Sequence, residues 1–276
     1  MKRLLIVFAH PDDESLFAGA MARHARQGVQ VSLACATKGE AGEISDPSLA
    51  TEANLGSTRE AELRCACDLI GISDLHLLGY CDSGMDGTPE NDRPTAFIQA
   101  DPNEIRLKLV KLMRELRPHV VITFEPKGWY GHPDHIAAGR YTTEAYYLAA
   151  DPAAFPAAGP PWRPDRLYHA AILRASFKPL VDYAREQGQD TSNFDEMSFD
   201  EPEPLAAEIT HILDVSDLFD LKKSAMLCHQ TQFGADNFLL QAPQELQRTL
   251  MGQESYIQVD PPRKQAALPA TDLFFG

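Results

Sequence analysis

Two short segments concentrate side chains able to do chemistry. His10-Pro11-Asp12-Asp13-Glu14 sets an imidazole beside three carboxylates, and Gly131-His132-Pro133-Asp134-His135 sets two imidazoles around one carboxylate. Neutral imidazole and carboxylate suit Zn²⁺, whose catalytic sites take three protein ligands and keep a fourth position open. Two histidines and one aspartate meet that count. His10 and Asp13 lie three apart, as do His132 and His135, so each pair can converge at a turn or helix start. Not all can be ligands, because a closed site holds no water. A remaining Asp is then available as a general base, and a remaining His as an acid or oxyanion stabiliser. Pro followed by acids also opens helices, so either segment alone is equally a capping sequence. Together they resist that reading: His132 and His135 fall where a helix dipole disfavours imidazolium, which suits a ligand that must stay neutral. His24, His76, His119, His169 and His211 have no such company and read as surface or core positions.

Something must bring residue 10 to residue 132. Leu4 to Ala9 is a continuous apolar run ended by a Pro turn, the pattern of a strand covered on both faces in a parallel sheet. A helix from Ser15 to Gln27, a stop at Gly28 and a strand from Val29 to Cys35 complete a β-α-β unit. The alternation continues with a helix over Ser57–Ile70, a short strand over Leu75–Leu78, a helix from Asp101-Pro102 through Leu116, and a strand over His119–Phe124. This predicts a doubly wound, mostly parallel α/β sheet of Rossmann-like type. Such sheets bind ligands beyond the carboxyl ends of their strands, which is where both motifs stand. After Ala150, five prolines between Pro152 and Pro164 mark a loop, read as a lid or an oligomer contact, and homo-oligomerisation is left open. Strands follow over Leu167–Leu173, Glu208–Val215 and Ser255–Val259, with Ser216 placed to cap a helix to about Gln230 and a polar excursion over Gln187–Pro204. The expectation is one domain over residues 1–276, a core of 1–150 with a smaller C-terminal portion of 165–276 packed against it.

Composition excludes more than it assigns. The 276 residues carry 40 Asp and Glu against 25 Lys and Arg, a net charge of −15, and no basic block, which argues against a nucleic-acid partner. The chain shows no signal peptide and no run near the roughly 20 apolar residues of a membrane span, so we read it as cytoplasmic. The five cysteines, Cys35, Cys65, Cys67, Cys81 and Cys228, form no C-x-x-C pair and read as reduced, mostly buried thiols. The turn after the first strand lacks G-x-G-x-x-G, and its carboxylates would repel a pyrophosphate. No P-loop occurs, and Asp82-Ser83-Gly84 lacks the serine-hydrolase elbow.

The motifs resemble those of the LmbE-like, or PIG-L-like, zinc-dependent N-acetylglucosaminyl deacetylases. Ala9-His10-Pro11-Asp12-Asp13-Glu14 and His132-Pro133-Asp134-His135 are similar to its two signatures. Arg59-Glu60-Ala61-Glu62, Asp82-Ser83-Gly84-Met85 and Lys222 through Gln232, like the family's K-x-x-A-x-x-x-H-x-[ST]-Q element, extend the likeness over about residues 4–235. Asp82 to Met85 and Tyr130 look most like the subgroup acting on the GlcNAc-inositol precursor of mycothiol. The resemblance implies zinc, with Fe²⁺ as an alternative, held by His10, Asp13 and His135, and Asp12 as general base on the activated water. It implies His132 at the oxyanion or the leaving amine, Asp134 orienting or charge-stabilising His132, and Arg59, Asp82, Met85 and Tyr130 facing a small amino-sugar substrate. His229 and Gln232 belong to the C-terminal element, touching the site or bracing it. The alternatives are an amidase of thiol-sugar conjugates, or a metal-binding protein of this fold without hydrolytic activity.

Overall fold

The computed structural model describes every residue except 190, 192–202, 235–236, 264–268 and 275–276. The predicted excursion at 187–204 lies largely outside the described residues. The strands are β1 (Arg3–Phe8), β2 (Gln30–Cys35), β3 (Asp74–Leu77), β4 (Val120–Phe124), β5 (Arg166–Ala171), β6 (His211–Asp214) and β7 (Gln253–Asp260), of which β1, β2, β4 and β5 are almost wholly buried. The helices are α1 (Ala18–Arg26), α2 (Leu55–Ile70), α3 (Pro102–Leu116), the single turn α4 (Gly128–Gly131), α5 (Pro133–Ala150), α6 (Arg174–Glu186), α7 (Phe219–Cys228), the short α8 (Phe238–Gln241) and α9 (Gln244–Met251).

All seven strands join one sheet in the order β3-β2-β1-β4-β5-β7-β6. The first five are parallel, as expected for the apolar runs of β1 and β4 at their centre, while β7 runs antiparallel to β5 and β6 antiparallel to β7. The order reverses between β1 and β4, so the loops leaving these two strands part and open a crevice at their carboxyl ends. Both motifs emerge there. α3 and α5 pack together and against β1, while α1, α2 and α7 form a second group. α5 approaches β4 closely because residue 139 is glycine: a Cβ there would lie 2.8 Å from the Phe124 carbonyl.

Four expectations need correction. The first helix begins as a 3₁₀ turn over Asp13–Phe17 before α1. Cys65 and Cys228 are disulfide-bonded, tying α2 to α7, whereas the sequence suggested reduced thiols; Cys35, Cys67 and Cys81 are free. Spacing gave no hint, because the partners are 163 residues apart and meet only through the packing of α2 on α7. The Pro-rich loop is not placed as a lid over the motifs. Its backbone is pinned by the buried Arg114 of α3, which donates to the carbonyls of Ala149, Phe155, Gly159, Leu148, Asp151 and Ala154, and Trp162 Nε1 donates to Pro118 at the opposite end of β4. Ser216 does not cap α7 with its side chain.

Candidate active site

β1 and β4 are adjacent in register, Leu4 opposite Val120 and Ile6 opposite Ile122, so residues leaving their ends are neighbours. His10 follows β1 directly. His132 and His135 enter on α5, whose first turn is set by Pro133 at N1 and by the His132 side chain, which accepts the Asp134 amide at Nδ1 (3.1 Å). The loop between β4 and α5 is held by Glu125, which accepts the amides of Lys127 and Trp129, both at 2.7 Å. Trp129 packs against Phe8, Phe17 and Phe124 and meets the His135 ring edge-on, forming an apolar wall behind the site.

His10 Nδ1 and His135 Nε2 lie 3.1 Å apart. Asp13 sits beside both, with Oδ2 3.8 Å from His10 Nδ1 and Oδ1 3.3 Å from His135 Nε2. Zinc bonds of about 2.0–2.2 Å in tetrahedral geometry put ligand atoms about 3.3–3.5 Å from one another, close to the separation of the two ring nitrogens, while Asp13 turns a different oxygen to each ring. The fit to zinc is chemical, since the three donors are imidazole and carboxylate. Among the described residues, the groups whose ligand-capable atoms all fall within 4.8 Å of one another are His10, His132 and His135, and His10, Asp82 and Asp134. Asp13 is fixed by the amides of Ala9 and His10, and although burial works against its charge, His135 and His10 hold its carboxyl at about 2.

Burial opposes a charge on His10, but hydrogen bonds to Asp134 and Asp82 outweigh it and hold its pKa well above the ordinary range. Without a cation, this pocket of carboxylates draws a proton onto an imidazole. Asp134 was expected to orient or charge-stabilise His132. Its carboxylate instead binds His10 Nε2 (3.1 Å) and the Ser83 amide (3.0 Å), because His132 already anchors its ring on the Asp134 backbone N–H. Beyond that backbone bond, the Asp134 carboxylate reaches the His132 ring only by charge, where it partly offsets burial and the neighbouring histidines, which together lower that pKa to about 4.

Asp12 points from a left-handed backbone, φ 110° and ψ −28°. Arg59 of α2, expected to face the sugar, is buried and donates to the Asp12 carboxylate (2.9 Å), the Pro11 carbonyl (2.6 Å) and the Gly39 carbonyl (2.8 Å). Gly39, at φ +66°, lets the guanidinium pass, because a Cβ there would collide with it. Burial pushes the Asp12 carboxyl up to about 6 even though Arg59 pulls it down. Asp82 is also buried, 3.5 Å from His10 Nε2 and accepting from the Gly84 amide. Tyr130 and Met85 stand at the rim, 54% and 44% exposed.

Residues 5–146 match the family described as PIG-L, GlcNAc-PI de-N-acetylase. A protein of Thermobispora bispora named 1D-myo-inositol 2-acetamido-2-deoxy-alpha-D-glucopyranoside deacetylase is 43% identical over 84% of this chain and 79% of its own. The chain belongs to the PIG-L family. A second protein of that name, from Geodermatophilus obscurus, is 37% identical over 100% of this chain and 98% of its own. The N,N'-diacetylchitobiose deacetylase of Pyrococcus horikoshii shares the fold, with a TM-score of 0.64 at 20% identity over 94% of this chain and 84% of its own.

The PIG-L match stops well short of α7, yet the site's support does not. His229, just past α7, bonds Glu14, and Thr231 bonds Glu62 of α2 through both its amide and its hydroxyl. Gln232 donates to the Glu43 carbonyl. The C-terminal element therefore braces the motif turn. Glu254 was not singled out from the sequence: it accepts the amides of Gly19 and Ala20 at the start of α1 and the Lys222 ammonium at 2.7 Å. An isolated Glu in a late strand carries no local sign of such a role.

Proposed function

We propose that the protein is a zinc-dependent N-deacetylase that hydrolyses the acetamide of N-acetylglucosamine joined to inositol. The observation that carries this reading is the convergence of His10 Nδ1, His135 Nε2 and the Asp13 carboxylate, with the Asp12 carboxylate held beside them by Arg59. The names of relatives at 43% and 37% identity supply the substrate class. His10, Asp13 and His135 would hold the cation, and the same donors accept Fe²⁺. A bound zinc polarises an acetamide carbonyl and lowers the pKa of a water to roughly 7.

The protein's own groups manage the protons. Asp12, with its carboxyl pushed up to about 6, is matched to take a proton from the attacking water near neutral pH. As water oxygen joins the carbonyl carbon, negative charge grows on the carbonyl oxygen. His132 Nδ1 is occupied as an acceptor, so the neutral ring carries its proton on Nε2 and offers that N–H to the oxyanion. When the C–N bond breaks, the proton held by Asp12 goes to the departing amine, leaving acetate and the free amino sugar. Asp134 and Asp82 fix the His10 ring through Nε2, which leaves Nδ1 for the cation. Tyr130 and Met85 face the sugar and its aglycone from the rim.

Acetate release from GlcNAc-inositol, from simple GlcNAc glycosides and from acylated cysteine conjugates, with and without added Zn²⁺, tests the reading. Turnover that is fastest on GlcNAc-inositol and lost on chelation supports it. A zinc-loaded protein idle on every acylated amino sugar would overturn it.

A further inference from the structure

A non-glycine residue in the left-handed region costs on the order of 1–3 kcal/mol and persists only where its surroundings over-determine it. Asp12 is such a residue, at φ 110°. Arg59 fixes its carboxylate and the Pro11 carbonyl on one side of the Pro11–Asp12 peptide; the amide and the following carbonyl have other partners. Its amide N–H donates to Glu14 Oε2 at 3.0 Å, and its carbonyl accepts from the Ser15 amide at 3.0 Å. Glu14 is fully buried and has a second duty: Oε1 accepts from the Ser15 hydroxyl at 2.9 Å and pairs with His229 Nε2 at 2.7 Å. His229 is fully buried too, on the turn after α7. That turn is locked to α2 by the bonds from Thr231 to Glu62.

We infer that Glu14 and His229 are positioning residues for the deacetylation, acting through the backbone of Asp12. His229 donates Nε2–H to one oxygen of Glu14 and so fixes its rotamer. The other oxygen then meets the Asp12 amide and keeps this residue left-handed, with its carboxylate turned into the site. The bond from the Asp12 amide to Glu14 has the form of a helix cap, with Asp12 as the N-cap, but capping does not account for the other oxygen, which meets a buried histidine 215 positions away. The inference rests on Asp12 as the base.

The test compares His229→Ala, His229→Gln, Glu14→Ala, the Glu14→Ala/His229→Ala double variant and Asp12→Asn in zinc-loaded protein. Steady-state acetate release from GlcNAc-inositol, zinc content and hydrogen exchange at the Asp12 amide are read together. In His229→Ala, kcat should fall about 10- to 100-fold, the cost of misplacing a catalytic group by about 1 Å. KM should stay within twofold, zinc should be retained and Asp12 amide exchange should quicken. His229→Gln should recover most of kcat, because its carboxamide offers an N–H to Glu14. The double variant should be no slower than Glu14→Ala, since both lie on one line of contact. If His229→Ala does not fold, the isosteric Glu14→Gln carries the same kcat and exchange measurements. Unchanged kcat in His229→Ala beside a crippled Asp12→Asn overturns the positioning role, as do additive losses or loss of zinc. Full turnover by Asp12→Asn would instead remove the base assignment beneath it, a result distinct from the others.

Discussion

Two buried charged clusters stand along the same stretch of chain, and they are built on opposite terms. Around Lys222, one ammonium meets one carboxylate: Lys222 donates to Glu254 and to the Leu16 carbonyl, and Glu254 also accepts from Gly19, Ala20 and the Tyr256 hydroxyl. Around His10, Asp13, Asp82 and Asp134 gather on one imidazole, and among the described residues Arg59 is the one arginine or lysine paired with this group, through Asp12. There Asp134 Oδ1 and His135 Nδ1 have no partner among the described residues. A cluster that closes its own charges serves packing. One in which carboxylates crowd together and two imidazole nitrogens face each other at 3.1 Å is arranged for something that arrives from outside.

That contrast can be broken by substitution. His135→Ala should give the largest effect, with loss of tightly held zinc measured by metal analysis and loss of measurable turnover. Bound zinc in this variant would show that His135 is not a ligand. Asp12→Asn should retain zinc but lose on the order of 10²-fold or more in kcat, as removal of a general base does. Loss of metal would make Asp12 a ligand instead. Lys222→Met should behave in the opposite way, with zinc and kcat near the parent but unfolding free energy lower by about 3 kcal/mol, because Glu254 is left charged and buried. Denaturant titration reads this difference.

A smaller effect concerns His211 on β6, which is buried with Thr210 Oγ1 at 2.9 Å from Nδ1. Burial, with Arg166 and Arg263 nearby, lowers its pKa to about 4. Since the unfolded imidazole titrates near 6.5, the unfolded chain binds more protons between pH 6.5 and 4, and stability falls as pH drops through that window. His211→Gln should flatten this limb by about 2 kcal/mol relative to the parent, measured as the difference between two pH series of denaturant unfolding. Smallest of all, Arg140→Ala should leave the denaturant midpoint close to that of the parent, because Arg140 is exposed where it pairs with Glu144 on α5.

The half of the molecule that resembles its own sequence pattern is the parallel half. β1 and β4 are apolar runs that end at motif residues, and their burial on both faces follows from that composition, so the crevice and its His and Asp residues were legible. Site partners at a distance were not. Asp134 points to His10 rather than to His132, a choice made by the first turn of α5 and not by spacing. The antiparallel part was harder to read. α6 begins at Arg174, at the end of a predicted strand, and contains Pro179, while α9 spans only Gln244–Met251. Glu254 gains its meaning from Gly19, 235 residues earlier, and the Cys65–Cys228 pair has the same long-range character.

The long reach of Glu254 has a consequence for synthesis. A ribosome has made every proposed zinc ligand once residue 135 is joined, but the carboxylate that caps the start of α1 comes 119 residues later (254 minus 135). At about 5–20 residues per second, this is roughly 6 to 24 seconds during which α1 has no cap, and Lys222 lacks its counter-charge for roughly the last 2 to 6 of them. The nascent chain should therefore hold its motif turn loosely until β7 pairs with β5. Arrested chains that end before Gln253 should be digested at the α1 segment far faster than chains that extend beyond Asp260.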